Sequence, residues 1–379
     1  MTTRHDIAPP RASVTTSAGG RARWLLLLAA LAGAAVATLG LVWLLQPDQN
    51  QFVDPEHALL RTWLTAGQTA AVATGVGVLG LVAAALALAY QRTERGAAAR
   101  RLPGWLAVVG LVQTVTIGVG LSAVTMIASA GYVMAFTVPV AVLFIVVQLL
   151  RRGGAGRWLA LAGVTATVGY GLVSGILSRE SVGNMLDLAQ TLPRHLYLET
   201  TMPFLLIAGV LAWVSLTASV LPTERLGSWV LRHRRAITVL AALGPLPYAL
   251  VRLTWLTPWP QFAPGDMPAE IRLQGLLISA GAWAGFVLTL GLIQRWGEIF
   301  PRWMPGVAGR PVPVWFAAVP GALVATILCA AAVPIVLMFL EQGVRDGLVS
   351  ALIFPFWLWG PALALAVWGY VLHRRGVPG

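Results

Sequence analysis

Apolar residues run through this chain in long unbroken stretches, divided by short segments rich in arginine, proline and glycine. A helix needs about 20 consecutive apolar residues to cross a hydrocarbon core of roughly 30 Å. Ten stretches reach that length: 24–45, 69–90, 104–128, 132–150, 158–177, 200–221, 236–257, 273–293, 315–340 and 348–372. They are apolar all round, without the alternation of apolar and polar positions that a barrel strand carries. The pattern predicts an all-α fold, a polytopic helical membrane bundle of about ten transmembrane helices. Positions 104–150 form one continuous apolar run, and Ser129, Ala130 and Gly131 are the turn expected within it.

The polar segments give this bundle a direction. Every one of the 26 basic residues is arginine. Twenty of them, from Arg4 to Arg375, fall on one side of the predicted spans, and Arg61, Arg179, Arg194, Arg252, Arg272 and Arg345 fall on the other. The fourteen acids divide the opposite way, four against ten. Arginine-rich loops stay in the cytoplasm, so both termini are expected there. A formal charge of +12 would otherwise suggest a nucleic-acid partner; its sidedness makes it a topology signal, and no nucleic acid is expected. The partner it implies is the lipid bilayer, with anionic lipids at the cytoplasmic face. Nothing in the chain identifies a membrane-protein partner.

Composition agrees: 58% of residues are hydrophobic and 11% charged, against roughly 25% charged in an average soluble domain. Residues 1–23 read as a disordered cytoplasmic tail, 24–372 as a single transmembrane domain, and 373–379 as a short cytoplasmic tail. The stretch 24–45 exceeds the 7–15 residues of a signal-peptide core and reads as an uncleaved first span. Absence of lysine, with abundant Ala, Gly, Val and Leu, points to a high-GC bacterium and so to the bacterial cell (inner) membrane. Trp24, Trp105, Trp158 and Trp315 open spans at one interface, and Trp43 and Trp255 lie near the other, as aromatic anchors do. Outside the spans, Asp54-Pro55-Glu56 and Asp266, Pro268 and Glu270 have the form of helix starts. Residues 181–191 predict a short surface helix ended by Pro193.

Arg252 is the one formal charge set inside a predicted span. It can snorkel to the outer interface. Alternatively, Tyr248, Arg252, Trp255 and Trp259 share one helical face, which places Tyr248, Arg252 and Trp255 together as a substrate-binding, cation–π arrangement. Pro245 and Pro247 remove backbone donors just below, and Pro355 and Pro361 do so in the last span, so all four mark broken helices. Pro320 and Pro334 continue the theme in span nine. Irregular backbone at membrane depth survives only where protein buries it or water reaches it. Gly110 and Gly118 in span three, and Gly163 and Gly171 in span five, lie in small-residue stripes that favour close helix packing. Gln113 lies beside the first stripe, placed for an interhelical hydrogen bond.

Several chemistries are missing. There is no phosphate-binding glycine loop, and no zinc-protease pair of histidines. Cys329 stands alone, so neither a disulfide framework nor a thiolate cluster can form. Glu56, His57, His195 and Glu199 are metal-ligand types, but nothing in their spacing joins the two loops, and no metal, cofactor or catalytic residue is expected. The spans hold no Asp, Glu or His, the groups on which proton-coupled transport relies.

The segments P-Y-A-L-V-R-L-T-W at 247–255 and Q-R-W-G-E-I-F-P-R-W at 294–303 resemble parts of uncharacterised multi-pass integral membrane proteins of high-GC Gram-positive bacteria. The resemblance covers roughly the last 140 residues and implies no activity; it directs attention to Arg252, Trp296, Glu298 and Trp303. Glu298, between Arg295 and Arg302, has the spacing of a local salt-bridged turn. The readings that follow are a transporter-like or lipid-handling protein without proton coupling, a non-catalytic accessory or structural membrane protein, and a membrane enzyme acting on lipid substrates.

Overall fold

The computed structural model describes residues 16–50, 59–93, 102–121, 125–152, 154–195, 201–263, 267–302, 304, 306–341 and 343–376. Among them the secondary structure is helical, apart from a single bridge between Ile299 and Pro311. Six helical segments are long and apolar enough to cross a membrane: Ala22–Leu45, Ala66–Thr93, Arg234–Leu256, Ala269–Gly291, Val314–Glu341 and Val344–Arg374. A seventh, Leu205–Val220 followed by Glu224–Arg232, bends by 106° at its break. Trp105–Gly120 and Val138–Arg151 are apolar but shorter. Among the described residues, six segments thus qualify on length and composition, or seven if the bent pair counts as one span.

In chain order, α1 is Thr16–Leu45, α2 Ala66–Thr93, α3 Trp105–Val115, α4 Thr125–Arg152 and α5 Gly154–Val173. Then come α6 Arg179–His195, α7 Thr201–Val220, α8 Glu224–Arg232, α9 Arg234–Leu243 and α10 Leu246–Leu253. The last four are α11 Ala269–Gly291, α12 Val314–Glu341, α13 Val344–Ile353 and α14 Phe356–Arg374. α1 begins inside the stretch expected to be a disordered tail. A π turn, Thr116–Gly120, extends α3 and closes with the Leu121 N–H on the Thr116 carbonyl at 2.9 Å. α4 begins at Thr125, so the expected turn residues Ser129, Ala130 and Gly131 lie within it. α6 matches the predicted surface helix but runs to His195, two residues past Pro193. Asp54, Pro55 and Glu56 lie outside the described residues; α11 starts with Pro268 as its cap and Glu270 in the first turn.

α1 and α2 form the tightest pair. A side chain on Gly33 would fall 2.6 Å from the Leu81 nitrogen, and one on Gly77 would strike the backbone of Ala37. Backbones meet this closely in membranes because lipid competes for apolar side chains and small residues gain the most contact. α3 and α7 complete this half, with Leu26, Ala84, Leu106 and Trp213 in its core. The other half is built on α9, α12, α13 and α14, around Ala331, Phe356, Leu363 and Tyr370. α12 joins the halves: Ile327 packs with Val36, Ala73 and Val210, while Leu328 and Ala331 face the second core. Pro320 and Pro334 both lie inside α12 without ending it.

The loop between α11 and α12 is tied to the end of α14. The Tyr370 hydroxyl donates to the Gly297 carbonyl at 2.9 Å, and Arg374 donates to the Tyr370 oxygen and the Val312 carbonyl, both at 2.8 Å. Glu298 reaches the His373 ring of α14 at 3.4 Å, a contact to a distant helix that a purely local salt-bridged turn does not include. Trp24, Trp158 and Trp315 are each about two-thirds exposed, whereas Trp43 and Trp255 are 5% and 2% exposed. These last two are core residues of the bundle, and the sequence reading of them as interfacial anchors is corrected.

Candidate functional site

Two apolar spans are interrupted, and their interruptions meet. Between α9 and α10, Pro245 has no N–H for the Ala241 carbonyl, and the Gly244 N–H takes that oxygen at 3.3 Å. Pro247 follows in the first turn of α10, where a missing donor costs little. Between α13 and α14, Phe354 and Pro355 leave helical geometry (ψ 70° and 50°), and the helix resumes with the Trp359 N–H on the Pro355 carbonyl at 2.8 Å. Gly244 lies directly against the Trp359 indole; a Cβ there would sit 2.7 Å from that residue's own Cβ. The Tyr248 and Phe354 rings lie 5.1 Å apart. The two breaks are thus packed on each other.

Arg252 stands one turn beyond Tyr248. Its guanidinium carbon is 5.0 Å from the centre of the Tyr248 ring and 3.7 Å from that of Trp255. Trp255 is fixed from three sides: its indole N–H donates to the Gln261 carbonyl at 2.9 Å, Gly275 of α11 leaves room for its six-membered ring, and Arg252 covers its face. Trp259 is 75% exposed beyond the end of the helical turn and takes no part, contrary to the extended face read from spacing. Helical phase carries that reading only as far as Thr257, where the backbone turns extended.

Arg272 enters from α11, one turn before Gly275. It donates to the Thr257 carbonyl at 3.3 Å. Sequence reasoning counted it only among the arginines outside the spans, because its place depends on how α11 docks on Trp255. The Nε–H groups of Arg252 and Arg272 are both buried and have no hydrogen-bond partner. A buried donor without an acceptor carries a desolvation cost of about 1–3 kcal/mol, more when charged. Chemically, the arrangement is a guanidinium held flat by aromatic faces, with donors left for an oxyanion. Carboxylate and phosphate oxygens are the acceptors that suit such a fork.

The remaining expected positions are dispersed. Gly110 abuts Thr217, and a Cβ on Gly118 would fall 3.2 Å from Val210, so both sit in the seam between α3 with its π turn and α7. Gln113, between them, donates to the Val76 carbonyl of α2 at 2.7 Å. Gly163 meets nothing within 4 Å, and Gly171 meets only Leu177 of the turn after its own helix. A packing role for Gly163 and Gly171 thus finds no partner helix among these contacts within the described chain. The neighbouring Gly175 has φ +73°, a left-handed turn that closes α5. Pro361, expected to break the last span, lies inside α14. A Cβ on the glycine before it would fall 2.8 Å from the Cys329 nitrogen of α12, so α12 packs closely on the turn that lacks the hydrogen bond.

Among the described residues no three His, Cys, Asp or Glu side chains gather as a metal site would require. Glu56, His57 and Glu199 lie outside the described residues, and His195 is the last residue of α6. Comparison of the chain with models of protein families, with curated proteins and with solved structures found no match.

Proposed function

We propose that this is a ten-span protein of a bacterial inner membrane, with both termini cytoplasmic, that binds an anionic amphiphile at Arg252 and moves or presents it without proton coupling. The ten spans add α3 with its π turn, α4, α5 and α7 to the six long apolar segments. The orientation follows from the arginine asymmetry, and the bacterial assignment from the composition and the resemblance of residues 247–255 and 294–303. One observation carries the ligand reading. Two broken spans meet beside a guanidinium that is clamped by Tyr248 and Trp255 and keeps a buried donor without an acceptor. Broken helices recur where transporters hold substrate, because they release backbone polar groups at membrane depth. A lipid supplies both what the arginine lacks and what the aromatic surroundings favour, an oxyanion on an apolar body.

The test is purification in native lipid followed by mass spectrometry of the bound lipids, comparing the parent with Arg252→Ala. The variant is expected to lose at least tenfold of a co-purifying anionic lipid, and with it the thermal stabilisation that lipid confers, while expression and monodispersity stay unchanged. Equal lipid content in both proteins sinks the reading.

An accessory role is favoured by a separate observation. α5 is exposed along almost its whole length, with only Ala160 and Gly171 buried, and packs chiefly on α4. A span so loosely held, carrying small residues outward, suits association with another membrane protein. Crosslinking from Gly163→Cys in native membranes distinguishes this reading by the capture of a second polypeptide.

A further inference from the structure

We propose that the cleft at the arginine-rich end, between the α8–α9 corner and the end of α14, binds a phosphate-bearing anion. It is separate from the Arg252 site and does not rest on the reading given there. The cleft encloses about 440 Å³ and is lined by Arg232, His233, Arg234, Arg235 and His373. That volume accommodates a phosphate group with part of whatever bears it.

Arginines near a membrane surface usually point to water and need no ligand. Arg234 does not follow that pattern. Its aliphatic stem lies against Gly369 of α14, and its Nη1 is buried with no hydrogen-bond partner. The stem thus packs on α14 while the guanidinium keeps a buried donor without an acceptor. Arg232 and Arg235 are exposed on either side of it. His233 places Nδ1 at 2.9 Å from the Trp229 carbonyl. A carbonyl only accepts, so Nδ1 carries the proton and Nε2 stays uncommitted. His373 lies 3.4 Å from the Glu298 carboxylate, whose negative charge also acts on Arg234. α9 also begins here, at Arg234, with no side chain capping its first turn. First-turn N–H groups and the helix dipole both favour an oxyanion at that position.

The geometry also sets the depth of the cleft. α8 turns 106° away from α7, so if α7 crosses the bilayer α8 runs nearly along its surface. Leu226 and Trp229 of α8 are 49% and 41% exposed, while Gly227 and Val230 face inward. The cleft therefore opens at headgroup level, within reach of a phospholipid and of phosphate in solution.

The experiment uses the full chain purified in a neutral, phosphate-free detergent. Thermal midpoints are followed during titration with inorganic phosphate at constant ionic strength, and separately with short-chain phosphatidylglycerol. The parent protein is expected to show a saturable rise. Arg234→Gln raises the half-saturating concentration at least tenfold, and Arg232→Gln several-fold. Arg310→Gln, which removes the same charge from an exposed loop, leaves it unchanged. A response to the lipid alone assigns the phosphate to a membrane headgroup; a response to both ligands assigns it to the oxyanion itself. No saturable rise with either ligand overturns the proposal, as does an equal loss in Arg310→Gln. Should Arg234→Gln fail to fold, the double replacement of Arg232 and Arg235 by Gln decides the matter, since both side chains are exposed.

Discussion

Gly77 of α2 and Gly163 of α5 look alike in the sequence, each a glycine in an apolar helix, yet their surroundings differ. A Cβ on Gly77 strikes the Ala37 backbone, while one on Gly163 meets nothing within 4 Å. Gly77→Ala should therefore destabilise the protein by about 1–3 kcal/mol through overpacking. Gly163→Ala should stabilise it by roughly 0.5–1 kcal/mol, because alanine loses less backbone entropy in a helix. Thermal midpoints in detergent should thus move in opposite directions. A common direction means that α1 and α2 are not packed backbone to backbone. The Tyr248, Arg252 and Trp255 cluster was legible from spacing alone, since helical phase is a property of the chain itself. Arg272 was not legible, because the docking of α11 brings it to the Thr257 carbonyl beside them.

At the level of elements, proline shows how far local rules reach. Pro245 and Pro355 lie at interruptions, whereas Pro320, Pro334 and Pro361 lie inside continuous helices. Each lacks the same N–H, and the difference lies in what surrounds it. Pro361 follows a glycine pressed onto α12, while Phe354 and Pro355 meet the gap left by Gly244 and Pro245. The arginine-rich loop between α11 and α12 is a second case, held by side chains at the end of α14 as well as by its own backbone pairs, such as the Phe300 N–H on the Arg310 carbonyl at 3.0 Å. Tyr370 is fully buried and donates to Gly297, so Tyr370→Phe leaves that carbonyl only the longer Arg374 contact at 3.5 Å, deprives Arg374 of an acceptor, and should cost about 1–3 kcal/mol. Arg374→Ala removes the bonds to Val312 and Tyr370 and should make residues 306–311 more susceptible to limited proteolysis. Unaltered cleavage in Arg374→Ala shows that the loop is held some other way.

For the whole molecule the central prediction is topological. In a Cys329→Ala background, Arg151→Cys and Arg235→Cys should resist a membrane-impermeant thiol reagent in intact cells, whereas Asp48→Cys should react. Labelling at position 151 or 235 from outside reverses the orientation and moves the phosphate cleft to the wrong face. Hydropathy and charge sidedness suffice for an all-helical, membrane-embedded reading, because transfer from water to hydrocarbon is set residue by residue and needs no partner. They also located Arg252 and its two aromatic neighbours, which lie within three turns of one helix. They misplaced the turn in the 104–150 run, since Ser, Ala and Gly are as compatible with a buried helix as with a bend. They could not tell the glycines of α2 from those of α5, nor find the cleft beside Arg234. Those features arise between segments far apart in the chain, where close packing of one backbone on another decides which small residue, proline or arginine acquires a role.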